Sequence, residues 1–452
     1  MVMRQIVPPI PDVAKLCGPQ SVHPGEYRFS TYCMPLDCPD GSLLYHTLTG
    51  ELLLLAPGDG ADRNRDELIR RRFLVPAAFD DAQYLAQVRQ LISLLTKNDG
   101  LNSFLIFTTL DCNARCYYCY ELGGARPSMS AETARDVAAY ILQNRGRGDV
   151  KLQFFGGEPL FNRPAIDIIT AALRDNGVAF HATMVSNGYL FDGETVQTAR
   201  ERWNLRQVQI TLDGTEEVYN RSKAYIYREG SPYRRVLGNI GLLLEAGIRV
   251  VIRLNLGRDN AADLLAVSEE LARRFHEKRN LRVYAALLKD YGNVKMDLGD
   301  AEARIAAYRT LCLRLRELGL SATGVRRRFS GNHCLADNAM GIGILPDGRI
   351  TRCEHETDEK AFGSIRAPLP ARDELKKWAA RVSVPECAGC VHAPLCTELK
   401  KCPGSDSTCT ALDRMIKDMR LRDSVLQTYE NEKNRAASAS SEKEETETPA
   451  LC

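Results

Sequence analysis

Three cysteines at 112, 116 and 119, spaced C-x3-C-x2-C within Asp111-Cys112-Asn113-Ala114-Arg115-Cys116-Tyr117-Tyr118-Cys119-Tyr120, constrain this chain more than any other feature. They follow directly on the apolar run 104–110, which reads as a strand. Three thiolates at a strand end are enough to hold a metal cluster. Iron–sulfur clusters are normally fixed by four Cys thiolates, so a run of three leaves one iron without a protein ligand and open to another molecule.

The whole chain sets the context for these thiols. At 452 residues it is long enough for two or three domains. Its formal net charge of +2 removes any global electrostatic case for nucleic acid or membrane as a partner. No apolar run reaches the length of a membrane span, and the residues Met1 to Pro9 contain no signal-peptide core, so a cytoplasmic location is expected. Fifteen cysteines in such a chain are not a disulfide framework, and ten of them fall in two groups, 112–119 and 334–409, which read as metal ligands.

From position 104 a regular alternation begins. Strands are expected over 104–110, 150–155, 179–186, 208–212, 249–256 and 281–288, with helices over 131–144, 164–175, 193–202, 233–245, 261–276 and 301–318. Six βα units in series imply an α/β fold with a parallel sheet covered by helices. Sites in such folds lie at the carboxyl ends of the strands, where Cys112 to Cys119 would sit. The other strand ends carry Gly156-Gly157-Glu158-Pro159, Ser186-Asn187-Gly188 and Asp213-Gly214, while Arg253 and Asn255 are two apart on one face of the fifth strand.

The C-x3-C-x2-C run, with Tyr118 before its last cysteine, followed by Gly156-Gly157-Glu158-Pro159, resembles the radical S-adenosylmethionine (SAM) enzymes. The resemblance implies a partial (β/α)6 TIM-like barrel over 99–320. It implies a [4Fe-4S] cluster on Cys112, Cys116 and Cys119 whose open iron is chelated by SAM, and reductive cleavage of SAM to a 5′-deoxyadenosyl radical. Carried over by motif, Glu158 with Gly156 and Gly157 would receive the SAM amino group, and Tyr118, Ser186, Asn187, Asp213, Arg253 and Asn255 would complete the pocket. One departure concerns the family's D-G-x4-H-D-x-x-R: here Asp213-Gly214 leads to Tyr219-Asn220-Arg221-Ser222-Lys223. Either Lys223 holds the basic place or Arg221 has shifted into it, and lysine lacks the planar fork that pairs bidentately with a carboxylate.

The second group runs Cys334, Cys353, Cys387, Cys390, Cys396, Cys402 and Cys409, with an apolar-turn-apolar hairpin signal over 343–350. Paired C-x2-C spacing also occurs in zinc ribbons, but seven cysteines fit one zinc site poorly. The order resembles the SPASM extension of radical SAM peptide-modifying enzymes. That resemblance implies a SPASM domain over 321–430 with two auxiliary [4Fe-4S] clusters, making three in all. Cys387, Cys390, Cys396 and Cys409 would hold one completely. Cys334, Cys353 and Cys402 would hold the other, which could keep an open iron. His333 and His355 flank these ligands.

The first 98 residues read as a small α+β domain: strand formers over 27–34 and 42–55, then helical patterns over 67–73 and 80–96. It resembles the winged-helix-like domain that binds a leader peptide as an added strand, a plain cap on the catalytic domain being the other reading. Cys17, Cys33 and Cys38 have no metal spacing. The stretch 431–452 is rich in Ser, Glu, Lys and Thr and is expected to be disordered.

The resemblance implies an enzyme that oxidatively modifies a ribosomally made precursor peptide with a leader, forming a thioether or carbon–carbon cross-link. Flavodoxin or ferredoxin would supply electrons. A second enzyme reading is an anaerobic sulfatase maturase making formylglycine, with Glu354 standing where that family has an aspartate base. From another class, an iron–sulfur electron carrier or redox sensor would use the same cysteines without needing a SAM pocket.

Overall fold

The computed structural model describes residues 3–58, 62–95, 100–121, 123–227, 229–277, 279–288, 299–321, 325, 335, 338, 340–354, 363–368, 387–396, 409 and 411–446. The chain divides into two compact units: Met1–Lys97, Thr323–His333 and Arg381–Cys452 form one, Asn98–Ala322 and Cys334–Ala380 the other. The expected 321–430 domain is therefore split between the two rather than forming a body of its own.

The first unit contains β1 (Met3–Val7), α1 (Pro11–Cys17), β2 (Tyr27–Phe29), β3 (Cys33–Cys38), β4 (Gly41–His46), β5 (Leu52–Leu55), α2 (Arg65–Arg70), β6 (Leu74–Pro76) and α3 (Asp81–Leu95). Four strands form an antiparallel sheet in the order β1-β5-β4-β3, and β2 pairs with β6. The four consecutive leucines of β5 explain themselves through this sheet, whose two faces are both covered. Leu52 packs with Leu43, Tyr45, Leu421, Val425 and Tyr429, whereas Leu53 and Leu55 pack with Leu44, Leu68, Ile69 and Phe73 on the other side. A strand buried on both faces loses the apolar–polar alternation of a half-exposed one.

Leu421, Val425 and Tyr429 belong to the C-terminal helix Ala411–Thr446. This helix runs through 431–446, a stretch expected to be disordered, and its Tyr429 hydroxyl and Lys433 ammonium both donate to Asp40. The correction has a simple cause. The polar stretch is made largely of Glu, Lys, Arg and Ala, good helix formers that extend a helix already anchored at its start. Residues 447–452 lie outside the described set.

The second unit contains β7 (Ser103–Thr109), α4 (Ala131–Asn144), β8 (Val150–Gly156), α5 (Arg163–Asp175), β9 (Phe180–Ser186), α6 (Gly193–Glu201), β10 (Leu205–Leu212), α7 (Glu216–Lys223), α8 (Pro232–Glu245), β11 (Arg249–Leu256), α9 (Ala261–Arg274), β12 (Leu281–Leu287), α10 (Ala301–Glu317), β13 (Gly341–Ile344), β14 (Arg349–Thr351) and β15 (Gly363–Ser364). Strands β7 to β12 pair in parallel and in sequence order. This is the six-unit βα array that the alternation implies. Helix starts follow the sequence too: Ser130, Asp192, Ser231 and Asp300 each accept from the backbone N–H three residues on, satisfying amides left open at the helix end. The hairpin expected over 343–350 forms as β13 and β14, and β13 extends the sheet by pairing in parallel with β7. Among the described residues no helix is long and apolar enough to cross a membrane.

Candidate cofactor site at the strand ends

The loop after β7 is held close to the end of β8. A Cβ on Gly156 would lie 2.0 Å from the Thr109 carbonyl oxygen, and one on Gly157 2.2 Å from that of Asp111. Only glycine permits this approach, and Gly156 also has a φ of +133°. Gly157 and Glu158 then donate their amides to the carbonyls of Thr109 and Asp111, at 3.0 and 2.9 Å. Thus the Gly-Gly-Glu-Pro segment and the cysteine loop are stitched together backbone to backbone.

Glu158 is fully buried. Its carboxylate accepts from the Asn187 amide at 2.7 Å, the Ser186 hydroxyl at 2.8 Å and the Leu160 amide at 3.2 Å. Burial nevertheless pushes it up to about 7, against the lowering effect of those donors. A carboxylate offers about four acceptor positions, so three donors leave one for a further, preferably cationic, group.

Asn187 also fixes the orientation of the cysteine loop. Its Oδ1 accepts from the Tyr189 amide at 3.0 Å, which assigns Nδ2 to the other side, where it donates to Asn113 Oδ1 at 2.6 Å. That leaves the Nδ2 of Asn113 fully buried with no partner among the described residues. An orphaned buried donor costs about 1–3 kcal/mol. Here it stands between two of the three cysteines, and a sulfide or thiolate of a cluster would accept from it.

The thiols are equally out of place on their own. Burial pushes Cys112 up to about 12 and Cys119 up to about 11, and raises Cys116. Cys112 is raised further by the charges of Glu158, Cys116 and Cys119, which places all three sulfurs within electrostatic reach of one another. Such soft donors suit iron or another thiophilic metal. Among the described residues no three His, Cys, Asp or Glu side chains close around a single metal ion. A cubane binds its thiolates at separate corners, and three thiolates on one loop could each take one.

Tyr118, Asp213 and Lys223 form a buried triad. The Tyr118 hydroxyl donates to Asp213 Oδ2 at 2.7 Å and accepts from Lys223 Nζ at 2.8 Å, while Lys223 Nζ lies 3.2 Å from Asp213 Oδ2. Asn255 Nδ2 donates to the other Asp213 oxygen at 3.1 Å, and Arg253 Nε to Asn255 Oδ1 at 2.9 Å. Lys223 is therefore paired with protein groups, and Arg221 is largely exposed beside Glu217 at 3.4 Å. Arg253 is half-buried and makes one side-chain hydrogen bond through Nε. Asn260, which the sequence reading passed over, donates to the Asp213 and Asn255 carbonyls at 2.8 and 2.9 Å and locks the two strand ends together.

Glu354 follows Cys353, and its carbonyl accepts from the Tyr120 hydroxyl at 3.1 Å. That bond ties the residue after Cys353 to the residue after Cys119. In the other unit, Cys387 is raised by burial and then by the charges of Cys390, Cys396 and Cys409, so these four sulfurs also share one locality. Cys334, Cys402, His333 and His355 lie outside the described residues. Cys17 and Cys33 are buried, burial pushing Cys33 up to about 12.

Residues 106–271 match the radical SAM superfamily. The matching segment is the one that carries the cysteine loop and the strand ends described above, and over those residues the chain is similar to that superfamily. Among curated relatives, the protein MJ0907 of Methanocaldococcus jannaschii is 35% identical over 120 residues, covering 26% of this chain and 41% of its own. A GTP 3′,8-cyclase of Erythrobacter litoralis is 27% identical over 156 residues, covering 33% and 44%. The chain spans less than half the length of either relative. Among solved structures, anSMEcpe with bound AdoMet and Cp18Cys peptide superposes with a TM-score of 0.55 at 15% identity, covering 74% of this chain and 99% of that one. SuiB of Streptococcus suis bound to S-adenosylmethionine gives 0.50 at 16% identity, covering 81% and 94%. Both are likenesses of fold.

Proposed function

We propose that this chain oxidatively modifies a ribosomally made precursor peptide, using SAM held at the β7–β11 strand ends, and that the product is a thioether or carbon–carbon cross-link. The observation that carries the reading is Glu158, a buried carboxylate with one acceptor position left, joined through Asn187 to a loop of three half-buried thiols. A [4Fe-4S] cluster with an open iron and its SAM supply, when bound, the one-electron chemistry that removes hydrogen from an unactivated C–H bond. The protein's part is binding and orientation. Cys112, Cys116 and Cys119 hold the cluster, the Asn113 amide donates to it, and Glu158 receives the SAM ammonium.

Arg253 replaces Lys223 as the partner of the SAM carboxylate in this proposal, because Lys223 is spent on Asp213 and Tyr118 while the terminal nitrogens of Arg253 have no partner among the described residues. The triad holds the floor of the pocket rigid. Cys387, Cys390, Cys396 and Cys409 hold an auxiliary cluster, and Cys334, Cys353 and Cys402 a second one. A flavodoxin or ferredoxin delivers electrons.

A leader-bearing peptide as substrate rests on the likeness of fold to a structure with a bound peptide and on the α+β unit ahead of the barrel. The test is a co-expressed peptide. Loss of two hydrogens with its cysteine protected from alkylation supports the thioether, and an unmodified peptide contradicts it. Formylglycine formation is the second reading, favoured by Glu354, whose backbone is held beside the cysteine loop by Tyr120. A product carrying an aldehyde at a cysteine or serine would select it.

A further inference from the structure

The segment from Cys387 to Cys396 has no regular secondary structure beyond turns, yet it contains three of the four thiols assigned to one auxiliary cluster. A turn segment keeps its sulfurs at set positions only if its backbone carbonyls are held, because each buried carbonyl needs a donor. Three of those carbonyls are taken within the segment: Cys387 accepts from the Cys390 amide at 3.1 Å, Cys390 from the Ala393 amide at 3.0 Å and His392 from the Leu395 amide at 2.9 Å. Two more are held from outside it. The Val391 carbonyl accepts from the buried Thr47 hydroxyl at 2.7 Å, and the Ala393 carbonyl from Arg89 Nη2 at 2.6 Å.

Thr47 lies in the turn between β4 and β5, and Arg89 lies on α3. Both belong to the first hundred residues, some three hundred positions away in sequence. The apolar surroundings come from the same place. Ala393 is buried with Ile10, Val13, Tyr32, Leu48, Leu85 and Val88, and Cys387, Cys390 and Cys396 pack against that group. A further side is closed by the C-terminal helix, where Asp418 bonds His392 Nε2 at 2.5 Å and Lys417 donates to Cys409 Sγ at 3.4 Å.

We infer that Arg89 and Thr47 are positioning residues of the auxiliary cluster, and that the N-terminal α+β domain is a structural half of that cluster's site. It does more than recognise a peptide or cap the barrel. The inference rests on the reading that Cys387, Cys390, Cys396 and Cys409 hold a cluster. Outer-shell hydrogen bonds of this kind orient ligands, and their loss costs roughly 10- to 100-fold in metal affinity.

The test uses the full chain with Cys112, Cys116, Cys119 and Cys353 replaced by Ala, so that only this set is loaded after anaerobic reconstitution. Arg89→Met keeps the stem and removes the donors; Thr47→Val keeps the volume and removes the hydroxyl. Each is expected to speed loss of iron to a chelator by about tenfold and to change the g-values of the reduced cluster, with Arg89→Lys and Thr47→Ser restoring both. Unchanged iron loss and spectra in Arg89→Met and Thr47→Val overturn the inference. A parent protein that takes up no cluster overturns the ligand reading beneath it, which is a separate result. Should Arg89→Met fail to fold, the Thr47→Val and Thr47→Ser pair decides, and equal behaviour of the two overturns the inference.

Discussion

Lys223 Nζ lies 3.2 Å from Asp213 Oδ2, and both side chains are buried. Lys223 is thus an interior counter-charge, bridged to Asp213 by the Tyr118 hydroxyl next to Cys119. Removing one partner of a buried pair strands the other. Lys223→Met should cost about 3–5 kcal/mol, and adding Asp213→Asn should recover part of it. Urea titrations of the two single variants and the double variant give the coupling. Additive losses would contradict a paired role.

Glu158 makes SAM binding pH-dependent. Its carboxyl is pushed up to about 7 by burial, so below that pH it is largely protonated and must lose a proton to receive an ammonium. Affinity for SAM should fall by up to about tenfold per pH unit below about 7 and level off above it. Calorimetric titration across pH 5.5 to 8.5 checks this, and Glu158→Gln should bind weakly with a flat profile over that roughly physiological window.

His46 gives the first unit an acid limit. Its ring is buried against Phe73 and accepts from the Thr49 amide, and burial holds it down at about 4 from the ordinary 6.5. The unfolded chain binds the proton first as pH falls through 6.5. Stability is therefore full above that value and is lost progressively down to about 4, by at most about 3 kcal/mol. Thermal unfolding from pH 7 to 4 should show the decline, and His46→Gln should flatten it.

Gly157→Ala places a methyl carbon 2.2 Å from the Asp111 carbonyl oxygen at the root of the cysteine loop. Backbone must move, at a cost of about 1–3 kcal/mol. The displaced loop should retain iron poorly after reconstitution, whereas Gly193→Ala, at a position with no atom nearby, should retain it normally. Equal iron content in the two would contradict the close-approach role.

The βα array was legible because each unit is written locally: capped helix starts and β-rich runs place β11 and α4 at the same residues in sequence and structure. Helix α7 was not legible. Its eight residues contain two apolar side chains, Val218 and Tyr219, and no helical stripe to read. With α7 hidden, nothing in the sequence aimed Lys223 at Asp213. The cysteine spacing announced the thiols but not Asn113, whose role depends on Asn187 of another strand end. The seat of Cys387 to Cys396 on Arg89 and Thr47 was out of reach for the same reason, since it joins segments with no local pattern in common.

The central claim is that Cys112, Cys116 and Cys119 hold the cluster that cleaves SAM. Its most direct test is release of 5′-deoxyadenosine by the anaerobically reconstituted full chain with SAM and dithionite, beside the variant with all three replaced by Ala. The account predicts release from the parent chain and none from the variant, whose auxiliary cluster signal persists. A parent chain with an intact cluster that releases no 5′-deoxyadenosine, or a variant that still releases it, would contradict the account.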